Sequence, residues 1–109
     1  MIGYASVAAA TAVVGYDLAR DTVWQQSTKA RAVAGLALKG SAAALDTEVD
    51  IYVDNVRVGN LFNSGTGAPN RDDLFRSGAY VPAGSEVHLL IKDAPATNPI
   101  NVLVEFVDM

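Results

Sequence analysis

The stretch Glu48–Phe62 constrains the fold more than any other part of the sequence, because it has the pattern of a β-hairpin. Apolar residues alternate with polar ones on both sides of a central polar pair. These apolar residues are Val49, Ile51, Val53, Val56 and Val58. Asp and Asn tolerate positive φ, so Asp54-Asn55 is predicted to form a type I′ turn. Such a hairpin has one apolar and one polar face, as in an antiparallel sheet that covers a core.

The position of the turn also predicts the register of the hairpin. Folding the chain at Asp54-Asn55 pairs Val53 with Val56 and Ile51 with Val58 on the apolar face. The predicted pairs of the polar face are Tyr52 with Arg57 and Asp50 with Gly59. We expect the turn itself to point into solvent.

Further strands are predicted at 29–39, 79–81, 85–92 and 100–107, from short apolar runs that Gly and Pro interrupt. In the first of these, even-numbered positions share one face of the predicted strand. Those positions are Ala32, Ala34, Leu36 and Leu38. A helix is the competing interpretation, since Ala and Leu are good helix formers, but Gly35 and the following Gly40-Ser41 favour a strand.

The number and spacing of these strands predict an all-β fold, an antiparallel β-sandwich or single jelly roll with an N-terminal apolar arm. Residues 1–16 carry no charged side chain. They lack the basic start of a signal peptide and are shorter than the roughly 20 apolar residues that span a bilayer. An extended arm, an edge strand or a short helix from Ser6 remain open, as does a less favoured membrane contact. We therefore divide the chain into an arm or edge strand at 1–20 and one β-sandwich domain at 21–109.

Composition limits the classes of function. The net charge of −4 disfavours sequence-independent nucleic-acid binding, which needs a basic surface. The absence of cysteine excludes disulfides, thiol catalysis and thiolate zinc sites. Half of the residues are hydrophobic, a large share for a small domain, and this favours an oligomer.

No pattern of catalytic residues stands out. His88 is the only histidine, and no Gly-x-Ser-x-Gly motif supplies a nucleophile for it. The carboxylates that could form a glycosidase pair all fall on the polar face of predicted strands, where charge is expected in any case. They are Glu48, Asp50, Glu86 and Glu105. The pair Asp72-Asp73 lies in a long Gly- and Pro-containing loop at 63–78 and lacks the spacing of a calcium loop. We therefore predict no enzyme, no catalytic, metal or cofactor-binding residue, and no cofactor.

Apolar residues at predicted exposed positions are the candidates for subunit contacts. Leu90, for example, falls among the polar positions of its strand. The candidates are Tyr4, Val7, Val13, Val14, Trp24, Leu90, Leu103 and Val107. Trp24, the only tryptophan, has three interpretations: an anchor in the core, a subunit contact, or a platform on which a sugar stacks.

Two stretches, Thr47–Gly59 and Ala79–Ile91, resemble the small β-sandwich and single jelly-roll structural proteins of bacteriophage virions, such as minor capsid, penton and decoration proteins. The second stretch enters its strand through Val-Pro-Ala-Gly-Ser at 81–85. The resemblance implies a non-enzymatic subunit in the virion, bound to copies of itself or to other capsid subunits. The alternative hypothesis is a carbohydrate- or cell-surface-binding module that uses Trp24, Tyr80 or the 63–78 loop.

Overall fold

The chain folds into seven β-strands without an α-helix, in a computed structural model that describes residues 1–109. The elements in order are β1 (Ile2–Val7), β2 (Arg31–Gly40), β3 (Glu48–Val53), β4 (Val56–Phe62), a short 3-10 helix (Arg71–Asp73), β5 (Phe75–Val81), β6 (Val87–Asp93) and β7 (Ile100–Asp108).

The strands form two antiparallel sheets that pack face to face. The four-stranded sheet has the order β1-β7-β2-β5, and the three-stranded sheet has the order β4-β3-β6. Their inner faces bury one apolar core, with Val33 and Val104 from the first sheet and Val49 and Leu89 from the second. The predicted all-β antiparallel β-sandwich is thus confirmed. The jelly roll stays a prediction here, because that fold has eight strands and the chain forms seven.

The β3–β4 hairpin forms around Asp54-Asn55, and Val53 pairs with Val56 as predicted. Beyond Tyr52 the register shifts by one residue, so that Ile51 lies opposite Gly59 and not Val58. The predicted pairs that are wrong are Ile51 with Val58 and Asp50 with Gly59; the pairs formed are Ile51 with Gly59 and Asp50 with Asn60. The bulge, a single extra residue in β4, cannot be read from an alternating pattern.

Two further details of the hairpin differ from the prediction. Only Asp54 has a positive φ, of 52°, so the turn is not type I′, which needs positive φ at both central residues. Val56 and Val58 are exposed although they were placed on the apolar face. They lie in the edge strand β4, where no other strand or loop covers them.

Strand β2 contains a second bulge that changes which residues face the core. Between the pairs Val33–Phe106 and Gly35–Glu105, β2 has one more residue than β7, and that residue is Ala34. The core-facing residues of β2 are Val33, Leu36 and Leu38. The residues whose predicted face is wrong are Ala32 and Ala34. One extra residue reverses the alternation, because side chains in a strand alternate with period two.

The long connection between β1 and β2, residues 8–30, closes one side of the sandwich. It contains no regular strand, yet it buries Leu18 and Trp24 in the core. Its backbone is tied to β6, because Leu18 N–H donates to Leu89 O over 2.8 Å and Val87 N–H donates to Gln25 O over 2.9 Å. Residues 2–7 themselves form β1, an edge strand of the four-stranded sheet.

Arg31 is a buried cation at the end of β2. Its guanidinium carbon lies 4.1 Å from the centre of the Phe106 ring, and its Nε and Nη2 atoms have no hydrogen-bond partner. Burial without a carboxylate lowers the pKa of Arg31. The cation–π contact offsets part of the cost of desolvation.

Candidate functional site

The predicted contact residues do not lie on one surface. Four of them are exposed, namely Tyr4, Val13, Val14 and Val107. Val7 and Leu90 are half-buried, and Val7 packs against the core. The remaining two, Trp24 and Leu103, are buried within their own chain.

Trp24 is a core residue and not a contact residue. Only 3% of it is exposed, and its indole ring lies against Gly3, where an added Cβ would be 2.6 Å from the ring. Its ring centre is 6.1 Å from that of Phe106, and its N–H donates to Tyr4 O over 3.4 Å. The predictions of a subunit contact and of a sugar-stacking platform at Trp24 are therefore wrong, because the connection 8–30 folds the side chain inward.

Leu103 faces outward from the four-stranded sheet but is covered by the loop at 63–74, which we call the strap. The strap crosses this face and is held there by polar contacts: Lys39 Nζ lies 3.3 Å from Asp73 Oδ1, and Asn101 Nδ2 donates to Gly67 O over 2.9 Å. Leu103 and the neighbouring Ala37 are buried although neither belongs to the main core. The prediction of Leu103 as a contact residue is wrong because the strap already occupies its surface.

The part of this outer face that the strap leaves uncovered carries apolar side chains beside the ion pair of Arg71 with Glu105, whose Nη2 and Oε2 atoms lie 2.9 Å apart. On it, β-sheet pairing places Val107 opposite Ala32, and Ala32 opposite Tyr80, so these three side chains form one row across the sheet. Tyr4 lies on the same face, on the edge strand β1. Of these, Tyr4, Tyr80 and Val107 are exposed, and we call this row with Tyr4 the apolar face.

The outer face of the three-stranded sheet has the opposite character. Asp50 accepts hydrogen bonds from Asn60 Nδ2 at 2.9 Å and from Arg57 Nε at 3.1 Å. On the same face Lys92 Nζ lies 3.7 Å from Glu48 Oε2. The charged side chains therefore pair with one another on this face.

His88 takes part in a hydrogen-bonded cluster that attaches the connection 8–30 to β6. Its Nδ1 lies 2.7 Å from Asp17 Oδ2, which also accepts from Gln25 Nε2 over 2.9 Å. Asp17 Oδ1 accepts from the backbone N–H of Leu89 and of Ala19. No hydroxyl group hydrogen-bonds to His88, so the aspartate–histidine pair lacks a nucleophile. The cluster therefore fixes the connection 8–30 to β6.

Comparison with known proteins adds no relative. No protein-family model matches the sequence, and no curated protein is significantly similar to it.

Within the structure, no three histidine, aspartate or glutamate side chains are grouped so that they could hold a metal ion. No helix is long and apolar enough to cross a membrane.

Acid is expected to weaken the fold partly through Asp50. The hydrogen bond from Asn60 and the neighbouring Arg57 hold the pKa of Asp50 below its ordinary value of 3.8. A carboxylate whose pKa is lower in the folded state stabilises the fold above its unfolded pKa, and this contribution is lost as the pH falls through the folded pKa. At pH 7, Asp50→Asn should lower the free energy of unfolding by about 1 kcal/mol.

The measurement is urea denaturation of both proteins at pH 7 and at pH 3. The difference between wild type and Asp50→Asn should shrink at pH 3, because the wild type has then lost part of the same contribution. Asp21→Asn, at an exposed position, is the matched control and should leave stability unchanged at both pH values. An equal difference at pH 7 and pH 3 would show that the charge of Asp50 contributes nothing.

Proposed function

We propose that the chain is a structural subunit of a virion, a capsid or capsid-associated protein that acts through self-association and through contacts with other capsid subunits. The observation that carries the proposal is the contrast between the two outer faces. The four-stranded sheet exposes Tyr4, Tyr80 and Val107 on its outer face, whereas the outer face of the three-stranded sheet carries two ion pairs and exposes one large apolar side chain, Phe62. Exposed apolar side chains grouped on one face mark a protein contact.

The pairing of the strands supports a jelly roll as the fold behind this function. A jelly roll forms when one long antiparallel hairpin wraps over itself, so that strand one pairs with eight, two with seven, three with six and four with five. In this chain β1 pairs with β7, β2 with β5, and β3 with β4. The missing second strand corresponds to residues 15–26, which meet β6 at two isolated bridges, Asp17–Leu90 and Gln26–Glu86.

We infer from this order that the fold is a jelly roll whose second strand is reduced to two bridges. The segment between the bridges leaves the sheet and carries Trp24 into the core. Single jelly rolls are frequent among viral capsid domains, which agrees with the resemblance of the stretches 47–59 and 79–91 to bacteriophage structural proteins. The fold by itself does not determine a function, so the proposal depends on the exposed apolar face.

Self-association should therefore depend on that face. The wild-type protein is expected to exceed its monomer mass of 11.4 kDa in a concentration-dependent way when light scattering follows size-exclusion chromatography. Tyr80→Glu combined with Val107→Glu should weaken association at least tenfold, because two charges would have to be buried against a partner. Both positions are exposed, so the fold should remain intact.

Val23→Glu is the matched control for this experiment. Val23 is an exposed valine that lies outside the apolar face, so the added charge should leave the oligomer unchanged. A wild-type protein that stays monomeric up to millimolar concentration would count against the proposal. So would a double variant that associates as strongly as the wild type.

A further inference from the structure

The two sheets have four edges, and three of them carry features that hinder the addition of a further strand. The edge of β6 is occupied by the connection 8–30, which meets it at two isolated bridges. The edge strand β4 carries Arg57 and a bulge, and the edge strand β5 carries Arg76 and is followed by Pro82. Bulges, charged side chains and proline are the means by which proteins keep free sheet edges from pairing.

The fourth edge, that of β1, has none of these features. The strand Ile2–Val7 contains no charged side chain and no proline, and it pairs with β7 without a shift of register. Its outward-facing side chains Ile2 and Tyr4 are 43% and 48% exposed. An uncharged, regular and exposed edge strand is a site at which a further strand can pair.

The hydrogen bonds at the start of β1 identify the backbone groups on this free edge. The amino group of Met1 donates to Phe106 O over 3.0 Å, and Phe106 N–H donates to Met1 O over 2.8 Å. This pair therefore exchanges both hydrogen bonds, and such pairs alternate with unbonded ones along an antiparallel ladder. It follows that Ile2, Tyr4 and Ser6 direct their N–H and C=O groups away from β7.

These outward backbone groups have almost no partner within the chain. Trp24 Nε1 donates to Tyr4 O over 3.4 Å, and no other hydrogen bond reaches the outward groups of Ile2, Tyr4 or Ser6. Donors and acceptors that recur along a strand at every second residue match the backbone of another strand. The partner that fits this edge is therefore an extended segment of backbone.

We propose that β1 pairs with β1 of a second copy of the chain, antiparallel and across a two-fold axis. The proposal rests on the proposed function, for which it names a contact. The register that uses all three outward residues places Tyr4 opposite Tyr4 and Ile2 opposite Ser6. Because the strand carries no charged side chain, no like charges meet when it lies against itself. The contact is symmetric, so it closes after two copies.

The β1 strand of a second copy fits this edge better than its other edge strands do. The pairings of β4 with β3 and of β5 with β2 both contain a shift of register, which interrupts the even spacing of the backbone groups. Directly opposite side chains lie on the same side of an antiparallel pair. Pairing through β1 therefore joins the four-stranded sheets of both copies, and their apolar faces become continuous at Tyr4.

Cysteine cross-linking tests this register, because the chain has no cysteine of its own. Residues that exchange both hydrogen bonds across an antiparallel pair have Cα atoms about 5.5 Å apart, within the range of about 4.4–6.8 Å that a disulfide spans. Under mild oxidation Tyr4→Cys should therefore form a covalent dimer with itself. Ile2→Cys mixed with Ser6→Cys should give a dimer of the two variants, at least tenfold more than either variant gives alone.

Paired charges at the same positions provide a second test that keeps every backbone group in place. Ile2→Lys with Ser6→Lys should lower the yield of the Tyr4→Cys dimer about tenfold, because each new lysine faces a lysine of the second copy. Ile2→Lys with Ser6→Glu should restore the yield, since the facing side chains then carry opposite charges. Both positions are exposed, so these variants should fold, and urea denaturation of the reduced proteins checks this.

A control separates this contact from random collisions. Val23→Cys replaces an exposed valine outside β1 and should give no dimer under the same conditions. Tyr4→Cys that stays monomeric under oxidation would overturn the proposal. A disulfide between Tyr4→Cys and Val56→Cys on β4, without a dimer of Tyr4→Cys, would overturn it in favour of a head-to-tail contact.

Failure of this inference and failure of the proposed function give different results. If the wild type self-associates but Tyr4→Cys does not cross-link, the β1 pair is wrong and the proposed function stands. If Tyr4→Cys cross-links but the wild type assembles no further than two copies, and Tyr80→Glu with Val107→Glu changes nothing, the β1 pair stands and the proposed function is wrong. If the wild type is monomeric at millimolar concentration and no cross-link forms, both are wrong.

Discussion

Replacing Trp24 with alanine is expected to lower the free energy of unfolding by about 3–5 kcal/mol, the range for removing a large buried aromatic side chain. The indole fills the space between Gly3 of β1 and Phe106 of β7. Its loss leaves a cavity in the core and removes the hydrogen bond to Tyr4 O. The first half of β1 then loses its packing against the indole, so its first residues should fray.

Guanidinium denaturation followed by circular dichroism measures this loss without depending on tryptophan fluorescence. Val23→Ala is the matched control, because Val23 precedes Trp24 and is 88% exposed; it should change stability by less than about 0.5 kcal/mol. Hydrogen exchange of the β1 amides should accelerate in Trp24→Ala and not in Val23→Ala. A loss below 1 kcal/mol in Trp24→Ala would contradict the core position of the indole.

A double-mutant cycle sharpens this prediction. In the wild type, Gly3→Ala should be strongly destabilising, because its Cβ would lie 2.6 Å from the indole ring. In the Trp24→Ala background the same change should cost far less, since the ring is absent. The two substitutions should therefore be non-additive by more than about 1 kcal/mol, as expected for residues in direct contact.

Local sequence patterns predicted most of the strands, but they placed the first half of β5, residues 75–78, in the loop 63–78, and they missed the exceptions within the strands. The alternation in Glu48–Phe62 indicated the hairpin and its Val53–Val56 pair. The bulges at Ala34 and in β4 are invisible to such a pattern, because one extra residue merely changes the phase of the alternation. The faces assigned beyond each bulge were wrong for that reason.

The surfaces were harder to predict, because they depend on which loop covers which sheet. Tyr4, Val13, Val14 and Val107 are exposed, as a contact residue must be. Leu103 has the same apolar character in the sequence but lies under the strap, where polar contacts between distant segments hold the loop. The positions of β4 and β5 as edge strands follow from the strand order of the two sheets, which no local pattern contains.

Asn63 is the residue whose importance the sequence conceals most, and Asn63→Ala is expected to cost about 3–5 kcal/mol. The side chain is fully buried, accepts from Thr47 N–H over 2.9 Å, and donates to Gly40 O over 3.0 Å and to Ala43 O over 2.8 Å. Alanine would take these partners from the buried Thr47 N–H and Gly40 carbonyl, and each buried group left unsatisfied costs about 1–3 kcal/mol. The connection from β2 to β3 should loosen as a result.

The neighbouring Asp46 makes a second variant informative. Its Oδ1 accepts from Asn63 Nδ2 over 3.2 Å. Burial alone would raise the pKa of Asp46. Its hydrogen bonds, of which the one from the Ser41 side chain has the largest effect, outweigh burial and lower this pKa. Asp46 is therefore ionised near neutral pH, and Asn63→Asp would replace the amide donor that faces it with a second carboxylate.

Urea denaturation at pH 7 and pH 4 separates these effects. Asn63→Asp should be at least as unstable as Asn63→Ala at pH 7 and should gain stability relative to it at pH 4, where the new carboxyl group can take up a proton and donate. Asn55→Ala is the control, because Asn55 is an exposed asparagine whose side chain makes no hydrogen bond, and it should stay within about 0.5 kcal/mol of the wild type. If Asn63→Ala also changed the free energy of unfolding by less than about 0.5 kcal/mol, the four side-chain hydrogen bonds of Asn63 would not stabilise the connection between β2 and β3.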